Sequence, residues 1–409
     1  SSMRYGHSER TTREIGNELG VQQLVQGSVR KAESRVRITA QLIDVEADRE
    51  VWAESYDRHL SDVFAIQSEV ARSIADALRA ELTPTEIARI ARRPTQDMEA
   101  YRAYLLGRHH WSRWTEEDFL ESIRHFEGAI DRDPHFAEAF GALSEAWSHL
   151  GVGYWSVRPL DAYPKARDAA VRAVELDPES AEANARLAMV EWWFEFAFDR
   201  ALERVERATT HNPNCAPAFD YRANILTMLG RHVEALPFGR RACELDPVSI
   251  FISANYGLYL YRARRWTDAV AQFQRTIDLD PNLPMGHALQ ALAYVESGDL
   301  GRALDGFERA DRLSSGNHAY RVMLGYGHSV AGDQEQARQI LQDIEGRRAD
   351  LNVWLVMLAM GYRKLGDEEH ALDLLEDAYR ERGGWIVWLG VEPGLDALRE
   401  NPRFVALTN

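Results

Sequence analysis

Cysteine is almost missing from this chain: Cys215 and Cys243 are the two that occur in 409 residues. A disulfide scaffold and a four-cysteine zinc site are thereby excluded. Lysine is nearly as scarce, at Lys31, Lys165 and Lys364, so arginine carries almost all the positive charge. Biased codon usage accounts for that better than function does. No apolar run approaches the about 18 residues of a membrane helix, and Ser1-Ser2-Met3-Arg4 opens no signal-peptide core. A cytoplasmic location without a membrane partner is expected.

Catalytic patterns are missing too. There is no glycine-rich phosphate loop, no histidine pair at metalloprotease spacing and no glycine-flanked nucleophilic serine. His109 and His110 are adjacent, so on a helix they point about 100° apart and cannot share a metal. They read as surface histidines. The expectation is a non-enzyme with no catalytic residues, no metal and no cofactor.

What the chain does have is ordinary globular composition, 45% hydrophobic and 27% charged, at a length that implies more than one domain. Net charge is −16 and uneven: residues 1–95 carry 14 basic and 15 acidic side chains, residues 96–409 carry 34 and 49. The larger part would repel a phosphate backbone, so no nucleic-acid partner is expected.

The larger part is periodic. Asp or Asn precedes Pro134, Pro178, Pro213, Pro247 and Pro281, at spacings of 44, 35, 34 and 34, and the register continues without proline through 315, 349 and 383. Twelve positions before each end lies Ala166, Ala201, Ala235, Ala269, Ala303, Ala337 or Ala371. Five before lies Ala129, Ala173, Ala208, Ala242, Ala310 or Ala378, and seventeen before lies Gly230, Gly298, Gly332 or Gly366. Glycine ends a first helix through a left-handed turn. Alanines seven apart share a helix face and admit a close neighbour. Proline stops the second helix, and the Asp or Asn before it caps the next. Each segment is then a helix hairpin that buries its apolar face only by stacking on others.

With Asn255-Tyr256-Gly257-Leu258, Ala269, Phe273 and Asp280-Pro281, residues 98–383 resemble a tetratricopeptide repeat array of about eight hairpins. The resemblance implies a mainly α fold, a right-handed solenoid. Extra residues fall near His109-His110-Trp111 and around Gly151 to Trp155, and Glu195 stands where the turn glycine is expected.

Ahead of the array, a helix over 8–19 is expected, then strands around Leu24 to Val29, Val36 to Leu42 and Val51 to Tyr56. Ser61 should cap an amphipathic helix, and residues 83–97 read as a polar linker. The run from Gly27 to Arg58 resembles the TolB-like α/β domain that precedes tetratricopeptide arrays in bacterial signalling proteins. Residues 1–82 would be an incomplete copy, its first strand, helix and strand lacking, so the chain is expected to begin in mid-domain. Its sheet edge would permit homo-oligomers. Residues 384–409, with Glu392-Pro393 and Leu398 to Phe404, resemble that group's capping segment. In the group, a winged-helix domain, a class III nucleotidyl cyclase or a protein kinase lies upstream.

The family likeness also implies a concave groove lined by the first helices. Carried over by repeat position, it comprises Met189, Trp192, Asp220, Asn224, Tyr261, Met285, Leu292, Tyr326, Met360 and Arg363. Of the Trp192-Trp193 pair, Trp192 is expected to face it. A peptide-carboxylate clamp would draw on Asn224 and Arg363 alone, which lie four hairpins apart, so an apolar protein or peptide partner is expected instead. The bland reading is that these side chains pack on each other or on the chain's own tail.

Overall fold

The computed structural model describes residues 11–32, 35–59, 63–78, 83–348 and 351–408. They fall into two compact units, Ser1–Tyr101 and Arg102–Asn409.

In the first unit, helix α1 (Thr12–Leu19) begins at a capping box of Thr11 and Glu14 and stops at Gly20, φ 65°. Strands β1 (Gln23–Ala32), β2 (Arg35–Asp44) and β3 (Arg49–His59) form an antiparallel sheet in that order. The expected alternation on β2 holds: Val36, Ala40 and Leu42 are buried, while Arg35 and Arg37 reach out to Asp57. Helix α2 (Val63–Ala77) covers one face, Ile66 and Val70 packing on Val36, Ile38 and Tyr56. Ser61 and residues 8–10 lie outside the described residues.

The expected linker holds a helix. α3 (Pro84–Ala91) starts at a second capping box, in which Thr83 Oγ1 accepts from Glu86 N at 3.3 Å while Glu86 accepts from Thr83 N at 2.9 Å. Ser68 Oγ donates to Ile90 O at 2.7 Å, tying α3 to α2.

Eight helix hairpins follow. They are α4 (Met98–Trp111) with α5 (Glu116–Arg132), α6 (Ala137–Leu150) with α7 (Pro159–Leu176), and α8 (Ala181–Trp193) with α9 (Phe198–His211). Next come α10 (Ala216–Met228) with α11 (His232–Leu245), α12 (Ile250–Arg262) with α13 (Trp266–Leu279), and α14 (Pro284–Glu296) with α15 (Leu300–Leu313). The last are α16 (His318–Ala331) with α17 (Gln334–Gly346) and α18 (Leu355–Lys364) with α19 (Glu368–Glu381). Two 3₁₀ segments, Ile386–Val391 and Pro393–Leu398, and helix α20 (Pro402–Thr408) end the chain.

Every alanine of the repeat register is buried, from Ala129 through Ala378. The four turn glycines have φ between +73° and +88°. Three other hairpins keep the left-handed turn without glycine: Trp114 (φ 56°), Phe196 (φ 58°) and Arg264 (φ 60°). In the third hairpin the glycine's place is therefore taken by Phe196, one residue beyond the expected Glu195. A left-handed non-glycine residue costs about 1–2 kcal/mol. Stacking on Phe198 and the guanidinium of Arg382, 3.7 Å from the ring centroid, offset that for Phe196.

Candidate functional site

The predicted groove residues fall on first helices, and Asn224, Tyr261, Tyr326 and Met360 among them meet the chain's own carboxyl tail. Nine of the ten, all but Arg363, are buried, and Arg363 is half-buried. The eleven helices from α8 to α18 share one core with Trp385, Ile386, Trp388, Leu389, Leu395, Leu398 and Phe404.

Polar contacts fix the tail's register. Trp388 Nε1 donates to Asn224 Oδ1 at 3.2 Å. Tyr261 OH donates to Glu392 Oε1 at 2.8 Å, and Arg262 Nη2 pairs with Glu392 Oε2 at 3.3 Å with both side chains essentially out of water. The Arg262 guanidinium also lies over the Trp388 and Trp385 rings, at 4.2 and 5.0 Å. Burial pushes the Glu392 carboxyl up, against the pull of Arg262 and Tyr261, and pulls Arg262 down, against Glu392. Gly394 passes Met360 and Tyr326 so closely that a Cβ there would run into Met360. Outside the core, Arg264 pairs with Asp396 at 2.7 Å. Arg403 bonds Glu369, Asp373 and Glu376 along one face of α19, at 3.1, 2.7 and 2.7 Å.

Trp192 and Trp193 exchange the expected roles. Trp193 meets Trp388 edge to face, centroids 4.8 Å apart, whereas Trp192 packs on Tyr221 of α10. Met189, Met285 and Leu292 are covered within the same core.

Asp220 has a purely internal job. It accepts from Asn255 Nδ2 and Tyr259 OH, both at 2.8 Å, so it joins α10 to α12. Burial raises its carboxyl to about 7 despite those two hydrogen bonds. A carboxyl raised on folding stabilises fully below its unfolded value and loses that contribution as pH climbs through the folded value. Between about pH 4 and pH 7, Asp220 therefore costs the fold on the order of 4 kcal/mol. Asp220→Asn should match wild type near pH 4 and exceed it by roughly 2–4 kcal/mol at pH 8, in urea unfolding. Equal pH profiles would contradict the assignment. Glu145 runs oppositely: burial would raise it, but Arg186 and Arg108 hold it at about 2.

The insertion after α6 is a strap. Asn317 Nδ2 donates to Tyr154 O and Asn352 Nδ2 to Val157 O, both at 3.0 Å, so the loop from the second hairpin reaches the seventh and eighth. Tyr154 lies among Tyr320 and Trp354, and burial raises its phenol. At the mouth of the first hairpin, Trp114 packs against Phe251 of α12, the ring centroids 3.7 Å apart and the planes tilted by 38°. Sequence reasoning missed both contacts, because each joins segments far apart in the chain.

Residues 197–250 and 255–318 match the model of the tetratricopeptide repeat family. Those residues carry tetratricopeptide repeats. A putative adenylate cyclase 3 of Rhizobium meliloti (strain 1021) is 33% identical over 208 residues, 51% of this chain and 35% of that protein. Human tetratricopeptide repeat protein 13 is 29% identical over 129 residues, 30% of this chain and 15% of that one. The chain thus covers about a third or less of these curated relatives. Among solved structures, the Cut9–Hcn1 hetero-tetramer of APC/C has a TM-score of 0.49 at 15% identity, covering 71% of this chain and 52% of that one. Yeast Tom70 has 0.43 at 18%, covering 76% and 68%. No described helix is long and apolar enough to cross a membrane.

Proposed function

We propose that this chain is the non-catalytic, cytoplasmic regulatory region of a bacterial signalling protein, whose tetratricopeptide array takes a partner's segment on its inner wall in exchange for its own tail. The tail is the observation that carries this reading. Trp388 and Glu392 sit in the wall as an anchor aromatic and an anchor carboxylate, so a partner of the same chemistry, a short 3₁₀-forming segment with an indole and an acid four residues later, fits the same places. The likeness to a putative adenylate cyclase supports an enzyme as the larger protein being regulated, with the sheet unit, read as a TolB-like domain, as its neighbour.

The test is a labelled peptide of residues 384–399 titrated into the full chain and into its Trp388→Ala/Glu392→Ala variant. Binding to the variant and not to wild type is expected, because the intact tail competes at high effective concentration. Equal binding to both, or none to a variant whose helices remain folded, contradicts the reading.

A further inference from the structure

One cluster has no part in the tail or the strap. At the first hairpin, one donor atom each of His110, Glu121 and His125 lie within 4.8 Å of one another, the single such trio among the described residues. Glu121 and His125 are one turn apart on α5, so they share a face. His110 comes from the end of α4, and its ring stacks on that of His125 at 5.4 Å and 20°.

The surroundings organise the trio as metal ligands are organised. His110 Nδ1 is bonded to Asp118 Oδ1 at 2.8 Å. An acceptor on Nδ1 fixes the tautomer and leaves the Nε2 lone pair free, the carboxylate–histidine arrangement that supports metal-bound imidazoles. Asp118 is itself held, its Oδ2 accepting from Thr115 Oγ1 at 2.9 Å while its backbone N–H donates to the same hydroxyl oxygen at 3.1 Å. Glu121 Oε2 is taken by Arg124, while Oε1 turns to His125 Nε2 at 3.5 Å. The three residues are half-buried, which leaves room for a water as fourth ligand.

We propose that His110, Glu121 and His125 bind a first-row divalent cation, Zn²⁺ above all, with Asp118 as the positioning carboxylate behind His110. Two imidazoles and one carboxylate with an open position are a recurrent zinc set, and bonds of about 2.0–2.1 Å place ligand atoms about 3.3 Å apart. Rotation about the side-chain torsions of Glu121 and His125 supplies the closure, since α4 and α5 already hold the three at the right end of the hairpin. The adjacent pair His109-His110 does not bind together; His110 works with a residue fifteen positions on, across the hairpin.

The test uses the full chain with Co²⁺ as probe, followed by Zn²⁺ competition. The wild type should bind one equivalent and show the visible d–d absorption of a low-coordinate site, bleached by one equivalent of Zn²⁺. His125→Ala and His110→Ala should abolish that band while leaving the helical circular dichroism unchanged. Asp118→Asn should keep the band and weaken binding roughly 10–100-fold, the readout of a positioning role. No band in the wild type, or the same band in His110→Ala/His125→Ala, overturns the assignment.

Discussion

Arg262→Ala should lower the stability of the array by about 3–5 kcal/mol, the cost of stranding one member of a buried ion pair. The substitution leaves Glu392 in a site without water, with the Tyr261 hydroxyl as its remaining side-chain partner. It also removes the cation that two indoles cover. Replacing both charges at once, as Arg262→Met/Glu392→Leu, should recover most of the loss, because the pair's own attraction roughly repays its desolvation. Urea unfolding followed by circular dichroism checks both. A single variant within about 1 kcal/mol of wild type would mean that Arg262 and Glu392 are solvated, and that the tail lies elsewhere.

Ala269→Arg should be nearly as damaging, at roughly 2–5 kcal/mol, since it adds both volume and charge where α13 is fully packed. Ala269 is completely buried, as are its counterparts Ala235 and Ala337 in other hairpins. Ala271, two residues on along the same helix, is exposed. Ala271→Arg should therefore stay within about 0.5 kcal/mol of wild type. Equal losses from the two would contradict the repeat register, because only the register distinguishes these positions.

How much of this was legible in the sequence depends on how local the cause is. Alanines seven apart, glycine turns and Asp-Pro stops act within one hairpin, and each repeats often enough to be counted. The left-handed turn at Trp114, Phe196 and Arg264 was hidden, since the geometry persists where the glycine does not. Helix α3 carried its own signal: Thr83-Pro84-Thr85-Glu86 is a capping box with proline at the first helical position. Reading residues 83–97 as a polar linker concealed it.

The inner wall was half legible. Repeat position placed Asn224, Tyr261, Tyr326 and Met360 on the correct faces, but nothing local says that Trp388, Glu392 and Gly394 fill the space before them. Tyr261 and Glu392 stand 131 residues apart. The order of Trp192 and Trp193 failed for a related reason: with apolar side chains on every side of α8, helical phase alone cannot choose which indole meets the tail. The histidine trio lay between these cases. Folding the first hairpin in register would have set His110 beside His125, whereas testing neighbours in sequence could not.

Residues 385–398 occupy the inner wall of their own array, and hydrogen–deuterium exchange of the full chain tests this most directly. Amides from Trp388 to Leu398 that are bonded within the 3₁₀ segments should exchange as slowly as those of α12 and α18, because they open only when the shared core opens. Exchange of that stretch at the rate of an unstructured peptide, with α12 and α18 still protected, would show that the wall is empty and the account wrong.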